Sequence, residues 1–448
     1  MKNKLLSTLV VLLCIILLGG AAFALWRAIP QKKADTVTSL ETGSVFERDE
    51  NIVEPDREQA YEGDVSVPSE AQPDAEVQPG PDSEQPEQPD DGSLARAQAV
   101  LDTMTQEEKL WQLFFVTPEA LTGVETATRA GDTTKAALEA MPVGGIVYFA
   151  KNLENAEQTR QMLENTQSCV RIPLFLGVDE EGGSVARVSS NPDMGVSPIA
   201  SMAEFGAQGD AAALYSAVSG LAAGIKALGF NLDFAPVADV ASGKSAVIGE
   251  RSFGSDAARC ASMSSIASGA LADNGVISCL KHFPGYGSAS ADDHNGPAEV
   301  TKTLEQLEQC DFLPFISGIE KGVPFIMVSH LSVPAVTGDD TPCDLSYAAV
   351  TETLRNKLGY SNVIITDAQN MASITGRYGA GEAAVAALKA GVDMILMPDD
   401  LQAAYDAVQA AVESGALTAQ RIDESVLRIL RIKAQYGLLP ETAAADTN

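Results

Sequence analysis

Short apolar runs recur along the chain between Trp111 and Pro398, and longer stretches with helical periodicity separate them. Runs of this kind, bounded by glycine-rich or polar segments, are typical of buried parallel strands. They predict eight strands: Trp111–Val116, Gly144–Phe149, Leu174–Asp179, Phe230–Asp239, Ile277–Phe283, Pro324–His330, Asn362–Asp367 and Asp393–Met397. The stretches between them predict helices that include Ala156–Ser168, Ala211–Leu228, Ala257–Asp273, Leu304–Lys321, Tyr347–Leu358 and Gly381–Ala390.

The alternation of strands and helices predicts an α/β fold with a parallel sheet covered by helices. Eight such units fit a single (β/α)8 TIM-type barrel better than an open sheet. An open doubly wound sheet is the alternative, because pattern alone fixes topology poorly. No Gly-x-Gly-x-x-Gly motif follows the first strand, which argues against a dinucleotide-binding version of that sheet.

The first 30 residues carry a different pattern. An uncharged apolar run from Leu5 to Trp26 lies between Lys4 and Arg27. The run is long enough to cross a bilayer as a helix and longer than the core of a usual signal peptide, so we expect a membrane anchor. The motif Ala22-Phe23-Ala24 leaves a cleaved signal as the alternative. The remaining chain is then expected outside the cytoplasm, either anchored to the cell membrane or secreted.

Residues 31–95 form a third zone of composition. They contain 18 Asp and Glu against 4 Lys and Arg, with seven Pro and few large apolar side chains. Such a segment cannot bury enough surface to offset its ordering entropy, so we expect a disordered acidic linker. Globular composition resumes beyond it, and we place the folded domain at residues 96–440 and a tail at 441–448.

Charge and cysteine content narrow the possible partners. The formal net charge of −31 argues against nucleic acid as a ligand. Five of the six Cys lie beyond the N-terminal run, and no Cys-x-x-Cys pair occurs, so the sequence defines neither a disulfide framework nor a zinc knuckle. A metal site is the rival chemistry for the His and Asp residues. No His-x-x-x-His or His-Glu-x-x-His spacing occurs, so we expect neither a metal nor a cofactor.

Polar side chains stand at the C-terminal ends of five predicted strands. They are Asp179, Asp239, Lys281 with His282, His330 and Asp367. In a barrel these ends meet on one face, where active sites are built. A polar residue also marks where any strand stops, so one instance carries little weight. Five instances together predict a site.

Two acidic positions and one histidine suit proton and covalent chemistry. Asp367 closes the run Val363–Thr366, and a carboxylate at the mouth of an apolar strand suits a nucleophile or a general base. The alternative is an N-cap for the following helix. His294 follows Asp292 by two residues in a loop rich in small residues, so Asp292 can orient the imidazole and favour its charged form. The alternative is a surface loop with an incidental histidine.

Lys281 and His282 are adjacent at the end of one predicted strand. Neighbouring strand residues face opposite sides of a sheet, so both reach one ligand only near a bend. Pro284 and Gly285 supply such a bend, and we assign Lys281 and His282 to substrate binding. The alternative for His282 is a buried histidine that is hydrogen-bonded in the core.

A second cluster begins at Asp179 and includes Arg187, and Arg251 lies in a separate Gly-Glu-Arg-Ser-Phe-Gly segment. Asp179 can accept hydrogen bonds from two neighbouring hydroxyls of a ligand. The two planar guanidinium groups can donate to hydroxyl or carbonyl oxygens. The alternative is that each arginine pairs with a carboxylate and ties loops together.

These motifs resemble glycoside hydrolase family 3, in particular its β-N-acetylglucosaminidase (β-hexosaminidase) branch. The resemblance runs from Met104 to about Gly437, which is nearly the whole globular part. Its motifs, in chain order, are Met104–Lys109, Gly144–Phe149, Asp179–Gly183, Asn231–Asp239, Arg251–Gly254 and Lys281–His294. Several ordered motifs make the match specific, whereas one alone would not.

The resemblance implies a retaining mechanism. Asp367 matches the nucleophile that forms a covalent glycosyl-enzyme intermediate. His294 matches the residue that protonates the leaving oxygen and then activates water, with Asp292 as its partner; most retaining glycosidases use a second carboxylate there. The resemblance also implies which positions hold the terminal sugar: Asp179, Arg187, Arg251, Lys281 and His282.

The implied activity is exo-acting removal of terminal N-acetylglucosamine, or a related N-acetylhexosamine, with cell-wall glycans and peptidoglycan turnover as the expected context. Three alternatives stay open: a β-glucosidase or β-xylosidase of the same barrel, transfer to phosphate instead of water, and a catalytically weak sugar-binding cell-wall protein. The chain ends soon after its last helix, so we expect the barrel's own loops to supply the proton carrier.

Four positions depart from the pattern of that branch. Tyr286 stands where a second His is usual, and Asp293 replaces a Ser between Asp292 and His294. Ser184 replaces an Arg, and Gln369 is atypical after Asp367-Ala368. These departures bear on leaving-group preference and rate more than on the type of reaction.

Overall fold

The computed structural model describes residues 92–241, 248–290 and 296–440. Eight parallel strands form its central sheet, and two further strands form a separate antiparallel hairpin. In chain order the strands are β1 Phe114–Val116, β2 Gly145–Val147, β3 Phe175–Val178, β4 Glu180–Gly182, β5 Val185–Ala186, β6 Leu232–Asp233, β7 Ile277–Phe283, β8 Phe325–Val328, β9 Val363–Thr366 and β10 Ile395–Leu396. Strands β4 and β5 are the hairpin.

The eight parallel strands follow one another in the order β10-β1-β2-β3-β6-β7-β8-β9. A parallel bridge between Ile365 and Met394 joins β9 to the residue just before β10. The Thr366 backbone N–H also donates to the Met394 carbonyl at 3.1 Å. The two edges of the sheet therefore meet, as in a barrel. The predicted eight-stranded barrel is confirmed, and the open doubly wound sheet was the wrong alternative.

Helices and helical turns connect the strands. The α-helices are Ser93–Leu101, Gln106–Trp111, Pro118–Thr122, Asp132–Ala140, Ala156–Ser168, Met202–Gln208, Ala211–Leu228, Ala257–Asp273, Leu304–Gln306, Leu313–Glu320, Pro334–Thr337, Ala372–Thr375, Ala380–Ala390, Leu401–Glu413 and Ala419–Gln435. The segments Leu307–Asp311 and Ala348–Lys357 are π-helical, so two of the predicted helices are wider coils over part of their length. The first helix begins at Ser93, ahead of the predicted boundary at residue 96.

Local sequence explains the helix ends. The Asp210 side chain accepts hydrogen bonds from two backbone N–H groups of helix Ala211–Leu228, and Gly229 ends that helix in the left-handed region. Asp256 caps helix Ala257–Asp273 in the same way. In the described part of the chain, helix Ala211–Leu228 alone has the length and apolar composition to span a membrane. Its apolar face packs in the core. The predicted anchor, and the predicted linker up to residue 91, lie outside the described residues.

Aromatic rings fill the barrel interior. Phe115 packs edge-on against Phe234 at 5.2 Å between ring centroids, and Phe175 packs against Phe325 at the same distance. Glycines in the neighbouring strands make room for these rings, as a Cβ added at Gly145 would lie 2.6 Å from the Phe115 ring. Side chains therefore fill the barrel, and ligands are confined to its ends.

Candidate active site

A pocket of about 480 Å³ opens at the C-terminal ends of the strands. Six residues that the sequence singled out line it together: Asp179, Arg187, Arg251, Lys281, His282 and Asp367. Larger cavities occur elsewhere on the described surface, up to about 840 Å³. That largest one lies between helices Ala257–Asp273 and Leu313–Glu320, and its charged lining is one glutamate and one lysine. The clustered chemistry, rather than size, identifies the pocket at the strand ends as the candidate site.

A buried ion network forms one wall of the pocket. The Lys281 Nζ atom lies 2.7 Å from Asp179 Oδ1 and 2.7 Å from Glu181 Oε1. The Arg251 guanidinium binds both carboxylate oxygens of Glu181, at 2.8 and 2.9 Å. Burial would raise the pKa of Glu181, but the charges of Lys281 and Arg251 outweigh it and lower that pKa to about 2. Both cations are thus held in fixed positions beside the pocket.

The hairpin of β4 and β5 positions Glu181, which sequence analysis did not select. The Glu180 side chain, next to it, points into the protein and accepts the backbone N–H groups of Val188 and Ser189. The Glu180 backbone N–H donates to Asp233 Oδ1 at 2.9 Å. Burial raises the pKa of the carboxyl groups of both Glu180 and Asp233. The buried hydrogen bonds of Glu180 therefore support the hairpin from inside the protein. In the sequence, the acidic run Asp179-Glu180-Glu181 marked the position of this hairpin.

His282 is held from behind by Asp239. The His282 Nδ1 atom lies 2.8 Å from Asp239 Oδ2, and Asp239 Oδ1 accepts the Tyr286 backbone N–H at 2.7 Å. Since Nδ1 is engaged, Nε2 is the ring nitrogen available to a ligand. The Nδ1 contact is the one expected for a buried histidine that is hydrogen-bonded in the core. The His282 ring nevertheless also lines the pocket. Asp239 was among the polar strand ends but was not selected for the site.

Lys281 and His282 both face the pocket although they are adjacent. The pairing of β7 with β8 shifts register between Leu280 and Phe283, so the strand is irregular where these two residues lie. The peptide bond between Lys281 and His282 is cis. The shift in register shows that the expected bend begins within the strand itself, ahead of Pro284.

Asp367 follows β9 at the floor of the pocket, where its side chain is partly accessible. Its backbone N–H donates to the Val328 carbonyl, and its Oδ1 accepts the Ala368 N–H, both at 2.8 Å. Burial would raise the pKa of Asp367, but the nearby charges of His282 and His330 hold it below the ordinary value. The N-cap alternative is wrong, because the next helix, Ala372–Thr375, has Met371 at its N-cap.

The two pocket arginines differ. Arg251 is bound to Glu181, as the loop-tying alternative supposed, and it still lines the pocket. Arg187 also lines the pocket, but within the described ranges no carboxylate lies within salt-bridge distance of it. Its Nε atom is buried and has no hydrogen-bond partner among those residues. Among the pocket cations that the structure describes, Arg187 is therefore the one without a carboxylate partner.

The proposed proton carrier His294, its proposed partner Asp292 and the departure Asp293 lie outside the described residues. The structure describes both ends of their loop. The Ser290 backbone N–H donates to the Glu299 carbonyl at 2.9 Å, which holds these two ends together. Before the loop, Gly287 packs so closely that an added Cβ would lie 1.8 Å from the Val240 carbonyl oxygen. The roles of Asp292 and His294 stay predictions.

Comparison with known proteins identifies the family. Residues 105–432 match the glycosyl hydrolase family 3 N terminal domain. β-Hexosaminidase A of Pseudoalteromonas piscicida is 32% identical over 332 residues, which cover 68% of this chain and 54% of that protein. A β-N-acetylglucosaminidase/β-glucosidase of Cellulomonas fimi is 28% identical over 371 residues, which cover 80% of this chain and 63% of that protein.

Solved structures give the same result. A glycoside hydrolase family 3 β-N-acetylglucosaminidase from a Paenibacillus species superposes with a TM-score of 0.71 at 34% identity. The match covers 77% of this chain and 65% of that one. This chain thus spans between about half and two thirds of the length of these three proteins. The family match covers most of the chain and includes the whole barrel, and this chain therefore belongs to glycosyl hydrolase family 3.

Proposed function

We propose that this chain is an exo-acting, retaining β-N-acetylglucosaminidase that releases terminal non-reducing N-acetylglucosamine, or a related N-acetylhexosamine. The observation that carries the proposal is Asp367, an ionised carboxylate at the floor of a sugar-sized pocket whose wall holds fixed cations. The names of the relatives from Pseudoalteromonas and Paenibacillus support the sugar. Because the chain covers only part of those relatives, we derive its mechanism from its own residues.

In the first step, the Asp367 carboxylate attacks the anomeric carbon of the terminal sugar. The bond from that carbon to the leaving oxygen breaks, and an ester bond to Asp367 forms. His294, oriented by Asp292, gives its proton to the leaving oxygen. Asp367 suits the attack because neighbouring cations keep it ionised. The side chains assigned to the sugar hydroxyls and acetamido group are Asp179, Arg187, Arg251, Lys281 and His282.

In the second step, His294 takes a proton from water, and the resulting nucleophile attacks the same carbon from the face that the leaving group left. The ester bond breaks, Asp367 regains its negative charge and His294 regains its proton. Two inversions give overall retention of configuration. All groups in this sequence belong to the chain, the sugar or water, so no metal or cofactor enters the proposal.

Two substrates test the activity. The full chain is incubated with an aryl β-N-acetylglucosaminide and with the matching aryl β-glucoside. We expect turnover of the first, and turnover of the glucoside alone would contradict the sugar assignment. A fluorinated N-acetylglucosaminyl fluoride that forms a slowly hydrolysed ester should label Asp367, as peptide mass spectrometry can detect. A chain that binds sugar but is never labelled would be a binding protein.

The acid role of His294 has its own test. His294→Ala should slow substrates with poor leaving groups far more than aryl substrates with good ones, which need little protonation. Equal loss on both kinds of substrate would contradict that role. A product assay with and without phosphate decides between water and phosphate as the acceptor, because only phosphate yields a sugar phosphate.

A β-glucosidase activity is the second candidate. It is favoured by the relative from Cellulomonas fimi, whose name combines both activities. The pocket residues described above would bind the hydroxyls that glucose and N-acetylglucosamine share. The ratio of kcat/KM for the two aryl glycosides therefore measures how far the acetamido group is recognised.

We further propose that the run from Leu5 to Trp26 anchors the chain in the cell membrane, and that residues 31–95 act as a flexible acidic linker. The uncharged length of that run and the acidic, Pro-rich composition of the linker support this arrangement. The barrel would then act on cell-wall glycans outside the cytoplasm. Membrane fractionation of cells that express the full chain tests the anchor, since a cleaved signal would release the barrel into the medium.

A further inference from the structure

A buried pair of side chains lies behind the Asp367 turn. His330 follows the end of β8, and Asp344 lies in the short 3-10 turn Cys343–Leu345. Both side chains are fully buried, and His330 Nδ1 lies 3.1 Å from Asp344 Oδ1. On its other side, His330 Nε2 lies 2.9 Å from the carbonyl oxygen of Ala368. The imidazole thus spans the space between a carboxyl group and the residue that follows the proposed nucleophile.

The contacts on its two sides fix the orientation of the His330 imidazole. A carbonyl oxygen can only accept, so His330 Nε2 must carry a hydrogen that points to Ala368. On the Nδ1 side, Asp344 Oδ1 lies at ion-pair distance, although the two atoms do not meet hydrogen-bond geometry. A fully buried carboxylate without a counter-charge would be costly, and His330 is the cationic partner within 4 Å in the described ranges. His330 is therefore held in one orientation between a carbonyl oxygen and a carboxylate.

The pair connects directly to the nucleophile. Ala368, whose carbonyl accepts from His330, uses its own N–H to hold Asp367 Oδ1 at 2.8 Å. The Asp344 backbone N–H donates to the Ser329 carbonyl at 3.2 Å, so the Asp344 backbone is held beside the residue that precedes His330. Movement of the imidazole would shift Ala368, and with it the N–H that orients the nucleophile.

We propose that His330 and Asp344 are positioning residues for the nucleophile: together they fix the Asp367–Ala368 turn so that the carboxylate keeps one orientation towards the anomeric carbon. This inference rests on the proposed function, because it takes Asp367 as the nucleophile. Neither residue lines the pocket, so neither touches the sugar. Loss of the pair should therefore reduce kcat with little change in KM.

The charges that face Asp367 set its pH dependence. They come from β7 and from the residues that follow β8, and each cation has its own carboxylate. The pairs are Lys281 with Asp179 and Glu181, His282 with Asp239, and His330 with Asp344. The charge of His330 is one of those that lower the pKa of Asp367. Removing this charge should raise the pKa of Asp367 and move the acid limb of kcat/KM to higher pH.

Three variants in the full chain separate orientation from charge. His330→Ala removes both and should lower kcat about 10- to 100-fold. His330→Gln keeps an amide N–H for the Ala368 carbonyl and should restore part of the lost kcat. Asp344→Asn removes the carboxylate that pairs with His330 and should lower kcat as well. The two His330 variants should move the acid limb upward by about half a pH unit to one unit, because both remove the positive charge near Asp367. Labelling of Asp367 by the fluorinated sugar should slow in parallel with kcat.

Asp393→Asn is the matched control. Asp393 is another fully buried, ion-paired Asp, but it lies before β10, at the opposite end of the strands. The same chemical change there should lower Tm and leave kcat per labelled site, KM and the pH profile unchanged. If the His330 and Asp344 variants also lower only Tm, the pair is merely structural and the inference is overturned. A rise in KM at constant kcat would overturn it as well, because that result describes a sugar-binding group.

A measurement on the unaltered chain tests the inference even if the variants do not fold. The chain has three His, so its imidazole nitrogens can be assigned by NMR after selective ¹⁵N labelling. We expect one imidazole whose Nε2 proton exchanges slowly with solvent, because that nitrogen is buried and donates to the Ala368 carbonyl. Fast exchange of the ring protons of all three His would contradict this fixed orientation. Absence of label on Asp367 in the unaltered chain would instead refute the proposed function, and the positioning role with it.

Discussion

The two ends of the barrel both bury charged side chains, but they arrange them differently. At the C-terminal ends of the strands, Lys281 and Arg251 share the carboxylate of Glu181, and an open pocket lies beside them. At the N-terminal ends, three guanidinium groups converge on the single carboxylate of Asp393. Several of their other N–H groups donate to backbone carbonyls, as Arg355 does to the carbonyl of Tyr360. The arrangement at the C-terminal ends places charged groups beside an open pocket, where a ligand can contact them. The arrangement at the N-terminal ends uses the guanidinium groups to connect separate segments of the chain.

Two buried lysines, Lys433 and Lys281, show the same contrast between the two ends of the barrel. Lys433 is fully buried at the N-terminal end, where its Nζ donates to Gln112 Oε1 at 2.7 Å and lies 4.9 Å from the centroid of the Phe175 ring. Burial alone lowers the pKa of this amine to about 7. Lys281, buried to a similar degree, has a raised pKa, because two carboxylates outweigh the cost of burial. A perturbed pKa therefore does not by itself identify a catalytic group, and the adjoining pocket must be considered as well.

The largest expected effect is at the C-terminal end. Asp367→Ala removes the carboxylate that we propose as the nucleophile, so turnover of the aryl β-N-acetylglucosaminide should fall by at least about 10⁴-fold. Lys281, Arg251 and His282 keep their own carboxylates, so Tm should change little. Steady-state kinetics and thermal unfolding of the same preparation check both parts. Residual activity within about tenfold of the unaltered chain would refute the nucleophile assignment.

The next effect is expected at the N-terminal ends of the strands, where a substitution should lower stability and leave catalysis unchanged. Asp393→Asn places an amide among three guanidinium groups and leaves buried positive charge uncompensated. The free energy of unfolding should fall by about 3–5 kcal/mol, as for other buried ion pairs that lose one partner. Urea unfolding measures that fall, and active-site labelling measures activity per folded molecule. Lower kcat per labelled site would show that the two ends are not independent.

A smaller effect, opposite in sign, is expected for Lys433→Met. The folded protein binds the Lys433 proton more weakly than the unfolded chain does, because the pKa falls from 10.5 to about 7. The burial of Lys433 therefore lowers the free energy of unfolding. This loss of stability is complete below pH 7, decreases as the pH rises from about 7 to 10.5, and vanishes above that range. Methionine removes it, so the variant should be more stable by roughly 2–4 kcal/mol at pH 6, after loss of the Gln112 and Phe175 contacts. Unfolding at pH 6, 8 and 10 should show the gain shrinking, and a constant gain would refute the titration.

Most of the fold could be predicted because the barrel strands are buried on both faces. Such strands appear in the sequence as continuous apolar runs, and β9 is the clearest example. Helix bounds were accurate where a cap residue precedes the helix, as Asp210 does for helix Ala211–Leu228. The hairpin of β4 and β5 was missed because its glutamates give no apolar pattern. Glu181 is buried because Lys281 and Arg251 neutralise it, and those partners are far away in the sequence.

The site was partly predictable for a related reason. Strand-end residues such as Asp367 and Lys281 are marked by the apolar runs before them, so the barrel rule brings them together. No apolar strand run precedes Asp344 to indicate that it is buried. It lies in a polar segment after Gly338-Asp339-Asp340 that reads as a surface loop, and its burial follows from a contact with His330. Contacts of this kind depend on the tertiary fold, which periodicity does not encode.

The smallest predicted difference separates the two arginines of the pocket. Arg187→Gln should raise KM about tenfold, the size expected for one charged hydrogen bond to substrate, and should leave Tm nearly unchanged. Its guanidinium has no carboxylate within salt-bridge distance in the described ranges, so no buried charge is left behind. Arg251→Gln should also weaken binding, but it strips Glu181 of one of its two cations and should lower Tm by several degrees. Kinetics and thermal unfolding of both variants measure this difference. Equal Tm losses would mean that Arg187 has a structural partner after all, and that the pocket leaves no cation for the sugar.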